Sequence, residues 1–489
     1  MQVLRWIFAW RNLLRTIAAA ATLLSTVYSQ DDVTAAEEIH DVIFVTGTRI
    51  PRPDAQAASP VASFDREAIN TFRSMTIEDF INDLPLVTPD FGRTGNNPGD
   101  GTARINLRGL GPQRSLILLN GRRVAPAGID SAVDINTIPS ALLERVEIVS
   151  GGASAVYGSD AVTGAVNFIT RDNLQGVEIS GQFDIFGVGD GETYNTSIIA
   201  GTDFADGRGH VTVYGDYLNG TPVRSDAREF TSVVIGENRT TGELIERGSF
   251  TVPEGVIGFP PAMLNGELVF PIFNEDGSFR EWFFNEETYN FAPDNYLQTA
   301  IERWSGGAFI DFEIYPDFEL FSEFMFSRPT TKSQLAPTPA NLFASFTIDS
   351  AFFADSTREE LRAAYDPDGD GIGDAFVAKR LEEVGPRQSH LTGNYYRSVV
   401  GFRTDLTAAW TVDGYYSYSR NDNLAGEGNN VSRSRLLQGL LVDPSTNQCV
   451  DPSGGCVPVN IFGLGNISAE AVDFIRVDGI ENKSHATQH

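Results

Sequence analysis

The stretch RGLGPQRSLILLNGRRV, residues 108–124, places a short apolar run between arginines. Leu116 to Leu119 form the run, and Asn120-Gly121 follows it directly. Because Asn-Gly accepts the positive φ angles of a type I′ turn, the run and the residues after it are predicted to pair as a hairpin. The preceding segment, 103–110, alternates apolar and polar residues as a half-buried strand does. The stretch therefore predicts a small sheet with arginines at its edges and turns.

The chain downstream continues this small domain. Residues 135–143 are predicted as a short helix and residues 144–149 as an alternating strand. Residues 150–170 then supply a glycine-rich turn, a short helix and a last strand. The segment as a whole predicts a mixed α+β domain.

Glycine and asparagine mark the predicted turns of this domain. A nucleotide-binding Walker loop would need Gly-Lys-Ser/Thr, and residues 150–159 contain no lysine. The glycines at 109 and 111 do not complete a dinucleotide-binding fingerprint either. These positions are therefore predicted to allow tight turns and close backbone packing; they are Gly109, Gly111, Asn120, Gly121, Gly151, Gly152 and Gly158.

Composition excludes several classes of function. The 489 residues carry a formal net charge of −29, which argues against nucleic acid as a partner because phosphate binding needs a basic face. Only five histidines are present, and none are paired at zinc-ligand spacing. No nucleophile and base arrangement, metal-ligand set or nucleotide loop is apparent, so we expect no enzyme and no required cofactor.

The N-terminus has the layout of a secretory signal peptide. Arginines at 5, 11 and 15 precede an apolar stretch, 16–28, which ends in small and polar residues. We therefore predict a cleaved signal peptide over residues 1–29. No later segment is long and apolar enough for a transmembrane helix, so any membrane span has to be built from strands.

The pattern of apolar and polar residues changes after residue 172. Val177, Ile179, Phe183 and Ile185 alternate with polar residues, the pattern of a strand with an apolar outward face and a polar inward face. Short links and long polar connections (220–303 and 328–392) alternate between the strands, which favours a membrane barrel over a soluble sandwich. Similar strands are predicted at about 192–203, 209–219, 304–315, 317–327, 393–405 and 411–420.

Two loop features are candidates for chemistry. DPDGDGIGD places aspartates at positions 1, 3, 5 and 9 of a calcium loop like that of an EF-hand, but position 12 is Val377 instead of the usual glutamate. A weak calcium site and a merely solvated acidic loop both remain open; its ligands would be Asp366, Asp368, Asp370 and Asp374. Cys449 and Cys456 are the only cysteines, and a local disulfide is expected outside the cytoplasm.

Residues 41–171 resemble a known family in its own order of motifs. INLRGLGPQRSLILLNGRRV and IPSALLERVEIVSGGASAVYGSDAVTGAVNFIT resemble the plug domain of TonB-dependent outer-membrane receptors, and DVIFVTGTRI resembles the TonB box before it. A first strand of the following domain is the other interpretation of that segment. The TonB-box residues would be Asp41, Val42, Ile43, Phe44 and Val45.

The resemblance implies a plug lodged inside a β-barrel, which an energised TonB-type protein in the periplasm remodels so that a bound ligand passes. We expect plug arginines to pair with acidic side chains of the barrel wall as several weak, breakable ion pairs. Ordinary solvated strand faces are the alternative. The resemblance makes Arg108 and Arg145 the first candidates, followed by Arg122 and Arg123.

The predicted organisation is a signal peptide (1–29), a TonB-box and linker region (30–60), an α+β plug domain (61–172) and antiparallel transmembrane β-barrel strands with long extracellular loops (173–489). Roughly seven to eight strands are present, whereas a plugged barrel of this kind has about 22. We therefore expect an incomplete barrel and a truncated receptor.

Two functions follow from these features. The first is energised uptake of a scarce solute, of the ferric siderophore, cobalamin or oligosaccharide class, through the outer membrane of a Gram-negative bacterium. Its partners would be a TonB-type protein, outer-membrane lipid and a small-molecule ligand, without nucleic acid. The alternative is a secreted or surface adhesin stabilised by calcium.

Overall fold

The computed structural model describes residues 61–489 except 73–74, 96–98, 129, 152, 265, 284–285 and 408–409. The predicted signal peptide, the predicted TonB box and Gly152 lie outside the described residues. All described residues belong to one compact unit, Val45–His489. None of the helices among the described residues is both long enough and apolar enough to cross a membrane.

Residues 61–170 form a small α+β domain around a five-stranded sheet, called the plug below. The sheet order is β1-β6-β7-β4-β5, in which β4 and β7 run parallel and the other pairs run antiparallel. Its elements are β1 (Val61–Asp65), α1 (Arg66–Thr71), α2 (Ile77–Asn82), β2 (Val87–Thr88), β3 (Asn106–Leu107), β4 (Ser115–Leu119), β5 (Arg122–Arg123), β6 (Leu143–Ser150), α3 (Ser154–Tyr157) and β7 (Gly164–Thr170).

The hairpin at the centre of this domain forms at the predicted turn. Asn120 and Gly121 both have positive φ, 50° and 75°, as a type I′ turn requires. The turn brings Leu119 opposite Arg122. The apolar run of β4 is fully buried, because β7 pairs along one edge and apolar side chains pack on both faces.

One predicted helix of the plug is absent. Residues 135–143 contain two 3₁₀ turns, Ile135–Thr137 and Ser140–Leu142, and β6 begins at Leu143. Pro139 separates the two turns. Proline restricts the residue before it to extended geometry and lacks the backbone N–H that a continuous helix would use.

The rest of the chain is mostly antiparallel strand, with three short helices. Its elements in chain order are β8 (Gly176–Asp184), β9 (Thr193–Phe204), β10 (Gly209–Gly220), β11 (Val223–Arg224), β12 (Val234–Glu237), β13 (Leu244–Arg247), β14 (Val256–Phe259), β15 (Ala262–Leu264), β16 (Glu267–Val269), β17 (Pro271–Phe273), β18 (Phe279–Glu281), β19 (Tyr296–Gln298), β20 (Ala300–Tyr315), β21 (Phe318–Leu335), β22 (Pro339–Thr347), α4 (Arg358–Tyr365), β23 (Ile372–Arg380), β24 (Arg387–Thr407), β25 (Trp410–Gly428), β26 (Asn430–Val431), α5 (Arg433–Gly439), β27 (Val442–Asp443), β28 (Gln448–Cys449), α6 (Ala469–Ile475), β29 (Arg476–Val477) and β30 (Ile480–Gln488).

Eight long strands form one antiparallel sheet, called the wall. Its order is β30-β25-β24-β21-β20-β10-β9-β8, so neighbours in sequence are neighbours in space and the sheet is not closed. The alternation seen in the sequence is confirmed in β8, where Val177 and Ile179 are 68% and 72% exposed. The inner face carries the plug, and it combines polar and charged residues with apolar residues that pack against the plug.

The long connections of the wall are not simple polar loops, as the sequence had suggested. Segments 221–299, 336–386 and 429–479 all leave the wall at the same end, because the strands between them alternate in direction. The three segments fold together around one apolar cluster, and we call them the cap. Their apolar positions are spread over short strands, so no periodic signal marks them in the sequence.

Candidate functional site

The contact between the plug and the inner face of the wall is the candidate site. Its centre is an ion-pair group on Glu323 of β21. Arg122 Nη1 of the plug donates to Glu323 Oε1 at 2.6 Å, and Arg397 Nη1 of β24 donates to Glu323 Oε2. Arg397 Nη2 also donates to the backbone oxygen of Leu119 in the plug, at 3.3 Å. One wall carboxylate thus holds a plug arginine and a wall arginine at once.

The guanidinium of Arg122 is also held by aromatic rings of the wall. Its Cζ lies 4.6 Å from the ring centre of Phe321 and 4.7 Å from that of Tyr415. Burial lowers the pKa of Arg122 from its ordinary value, and the charge of Glu323 opposes that shift. Since arginine stays protonated in proteins, the site contains a desolvated cation between a carboxylate and two π faces.

In a second contact, both charged side chains belong to the wall and the plug contributes backbone oxygens. Arg303 of β20 is 1% exposed and donates through Nη2 to Asp216 of β10 at 2.8 Å. Its Nη1 faces the backbone oxygens of Asn136 and Ile138 in the plug, at 3.4 and 3.3 Å. The wall therefore binds the backbone of the plug as well as its side chains.

Glu178 forms a third contact at the start of the wall. Arg171, in the link between β7 and β8, donates through Nη1 and Nη2 to the two carboxylate oxygens at 3.0 and 2.7 Å. Arg66 Nη2 of α1 donates to the same carboxylate at 3.1 Å. These groups are partly exposed, so each pair contributes about 0–1 kcal/mol.

A fourth contact passes through a buried carboxylate of the plug. Glu78 of α2 accepts the backbone N–H of Arg93 at 3.0 Å. Arg93 in turn accepts the N–H of Thr299, next to β20, through its backbone oxygen at 2.7 Å. Burial raises the pKa of Glu78 to about 7, and burial also raises the pKa of Asp134 nearby to about 6. This contact between helix α2 of the plug and the first segment of the cap thus includes one carboxyl group, that of Glu78, with a pKa near neutral pH.

Apolar packing accompanies these charges. The main apolar cluster of the plug extends onto the inner face of the wall, where it includes Ile199, Tyr214, Phe309, Met325 and Tyr395. The expected lock of weak, exposed pairs is therefore wrong in part, because its two central ion pairs are buried. Desolvation makes such a pair costly to break, since removing one partner leaves an uncompensated charge.

Of the four predicted locking arginines, only Arg122 reaches a wall carboxylate. Arg145 instead pairs with Glu147 at 2.8 Å, two residues along on the same face of β6. Arg123 pairs with Asp160 in the plug, its Nη2 lying 2.9 Å from Oδ1. Arg108 is exposed, has a φ of 58° and makes no ion pair with a described residue. The expectation for Arg123 and Arg145 is wrong, since both pair with carboxylates of the plug itself, whereas the role of Arg108 stays a prediction.

The sequence contained a signal for the wall residues that were missed. Arg303 and Arg397 occupy inward positions, each next to an outward aromatic residue, Trp304 or Tyr396. Glu323 likewise precedes the outward Phe324. A charge at an inward position of a strand that faces a packed domain is costly unless paired, so it marks a contact.

The predicted turn residues of the plug adopt left-handed backbone conformations. Arg108 at φ 58° stands directly before Gly109, so the turn requires positive φ at two consecutive residues. The positive values are 69° at Gly109, 104° at Gly111, 81° at Gly151 and 95° at Gly158.

The predicted calcium ligands do not assemble. Asp366 accepts backbone N–H groups of its own loop, from Gly369, Asp370 and Gly371, at 2.8–3.0 Å. Asp374 lies in β23 and accepts the hydroxyl of Ser345. Within the described ranges, no group of three or more histidine, cysteine, aspartate or glutamate side chains, Asp368 included, is placed to hold a metal ion.

Cys449 and Cys456 form a disulfide in the third segment of the cap. The bond closes a loop of seven residues in sequence separation, at the end of β28. Cys456 packs against the apolar cluster of the cap, so the bond fixes a loop at the edge of that cluster.

A comparison with protein families matches residues 53–165 to the TonB-dependent Receptor Plug Domain. The match covers the hairpin, the two glycine-rich turns, strands β1, β4, β5 and β6 of the plug sheet and the first two residues of β7. The plug is thus identified from its own sequence, independently of its contact with the wall.

Solved structures of siderophore receptors are among those to which this chain is similar. A mutant ferric enterobactin receptor (PfeA) of Pseudomonas aeruginosa with enterobactin is 15% identical, with 76% of this chain and 46% of that chain covered and a TM-score of 0.37. The siderophore receptor PirA of Pseudomonas aeruginosa is 15% identical, with 77% of this chain and 52% of that chain covered and a TM-score of 0.33. The siderophore receptor PiuA of Acinetobacter baumannii is 12% identical, with 88% of this chain and 53% of that chain covered and a TM-score of 0.37. The chain spans about half the length of these structures.

Proposed function

Since residues 53–165 are a TonB-dependent receptor plug domain, we propose that this chain supplies the plug and wall strands of an outer-membrane receptor in a Gram-negative bacterium. The receptor would bind a scarce small molecule, of the ferric siderophore, cobalamin or oligosaccharide class, and import it with energy from a TonB-type protein. The observation that carries the proposal is the plug hairpin held by Glu323 on the polar inner face of a sheet with an apolar outer face.

The plug topology suits release by a pull on its N-terminal side. Among the described residues, Val61–Asp65 is an edge strand that pairs only with β6. Force applied to residues before Val61 would therefore act on the β1–β6 pairing before it reaches the Arg122 contact.

The test is a deletion of residues 41–45 in the receptor in its outer membrane. Binding and uptake are measured with a radioiron-labelled siderophore, labelled cobalamin and a labelled oligosaccharide. We expect one of these probes to bind with unchanged affinity to the deletion variant while its energised uptake is lost. A deletion of residues 33–37, of the same length in the predicted linker region and outside the matched plug residues, serves as the control and keeps uptake.

Two outcomes would refute the proposal. Uptake that persists without residues 41–45 would exclude a role for this segment in energy transfer. Recovery of the chain in the soluble fraction, in place of the outer membrane, would exclude the receptor function as a whole.

A further inference from the structure

The three cap segments share a single apolar core. Residues of the first segment (including Phe273), of the second (including Phe346) and of the third (including Phe462) belong to one buried cluster. Phe462 lies 4.8 Å from Phe273 and 5.2 Å from Phe346 between ring centres. The segments are separated by 36 and 42 residues of wall strands, so this core forms only when all three are present together.

The cap also has a sheet that crosses segments. Its order is β18-β17-β14-β23-β22, with three strands from the first segment and two from the second. Val256 and Ala378 are direct partners across the junction between the segments. The third segment joins by main-chain bonds, from Thr347 N to Leu440 O at 3.2 Å and from Gly463 N to Glu254 O at 2.7 Å.

Lys379 connects all three segments of the cap through hydrogen bonds of one side chain. It lies in β23 of the second segment, and its side chain is fully buried. Its ammonium group donates to the backbone oxygen of Pro253 in the first segment and, at 2.9 Å, to that of Gly463 in the third. Glu383 Oε1 lies 3.4 Å from the same nitrogen. A buried ammonium group keeps its charge only with such partners, so the three segments hold one another in place.

From these contacts we propose that the cap behaves as one cooperative body held together by Lys379, and not as three independent loops. A solute would then enter by displacement of the whole cap on its connections to the wall. That consequence rests on the proposed receptor function, whereas the one-body behaviour of the cap does not.

The first test replaces Lys379, the residue that contacts all three segments. In the full chain, K379M is compared with K483M, the same change at a lysine whose side chain is 77% exposed. Hydrogen exchange followed by mass spectrometry should show amides of 253–257, 372–380 and 459–463 exchanging at least about tenfold faster together in K379M, since buried charged hydrogen bonds are lost. K483M should leave all three unchanged. Faster exchange confined to the second segment would overturn the proposal.

The second test adds a covalent link and leaves Lys379 in place. V256C/A378C places a disulfide between direct strand partners of the first and second segments. If the cap is one body, oxidation slows exchange in the third segment, at 459–463, along with the other two. An oxidised variant in which 459–463 is unaffected would refute the proposal. Because neither readout uses a ligand, failure of the receptor function in an uptake assay would be seen separately.

Discussion

Replacement of Glu323 should release the plug hairpin from the wall. The carboxylate holds Arg122 and Arg397, and the three side chains are 8%, 9% and 0% exposed in the order Glu323, Arg122, Arg397. Removal of one member of a buried ion pair costs about 3–5 kcal/mol, because the remaining charge loses its partner without regaining water. Glu323→Gln preserves the size of the side chain, removes its charge and replaces one of the two acceptor oxygens with a donor NH2 group.

The assay is hydrogen exchange of the full chain, read at the amides of β4 and β7. A loss of about 3–5 kcal/mol corresponds to exchange faster by about 100- to 4,000-fold, since each 1.4 kcal/mol is a factor of ten. Glu319→Gln is the matched control on the same strand. Glu319 pairs with Arg403 at 2.8 Å but is 38% exposed, so we expect about 0–1 kcal/mol.

A triple replacement separates lost charge from lost packing. Arg122→Met, Glu323→Leu and Arg397→Met together remove every charge of the group and keep apolar volume. Apolar replacement of a whole buried ion group is often neutral or stabilising, so protection should largely return. If Glu323→Gln accelerates exchange no more than Glu319→Gln does, the group does not hold the plug and the reasoning is wrong.

Three further predictions concern single contacts. Glu78 has a pKa of about 7 in the folded plug, above its ordinary value of 4.5, so plug stability should fall as pH rises from 4.5 to 7, by at most about 1.4 kcal/mol per pH unit, and Glu78→Gln should flatten that profile in urea titrations. Arg303→Met should cost the plug about 3–5 kcal/mol in exchange protection, whereas adding Asp216→Asn should restore part of it; an unchanged double variant would contradict the assigned pairing. Reduction of Cys449–Cys456 should destabilise residues 442–459 by about 2–3 kcal/mol, from its short loop, and leave plug protection intact; loss of plug protection would show coupling that the contacts do not predict.

The sequence predicted the local elements of the plug and the wall with good accuracy. The hairpin at Asn120-Gly121 and the alternating strands follow from turn chemistry and a period of two, which act between residues close in the chain. The failure at residues 135–143 is also local, since Pro139 carries a signal against a continuous helix that the apolar pattern masked.

The partners of the arginines could not be predicted in the same way. Arg122 and Glu323 are 201 residues apart, and their contact depends on the register of the wall strands and the placement of the plug against them. A shift by one residue in β21 would turn Glu323 to the outer face and Phe324 to the inner one. In the sequence, Arg145 and Arg108 look as suitable as Arg122 for a contact with the wall, because sequence position does not show which side chains lie within reach.

The amino-acid sequence by itself determined the plug and the strands with one apolar and one polar face, because periodicity and turn residues encode elements locally. Only the tertiary structure decided which charges face each other, that the aspartates of 366–374 do not converge, and that three long polar connections form one cap around a shared core. The physical reason is that burial and ion pairing depend on distances between segments far apart in the chain, and these distances are set by the packing of the whole fold.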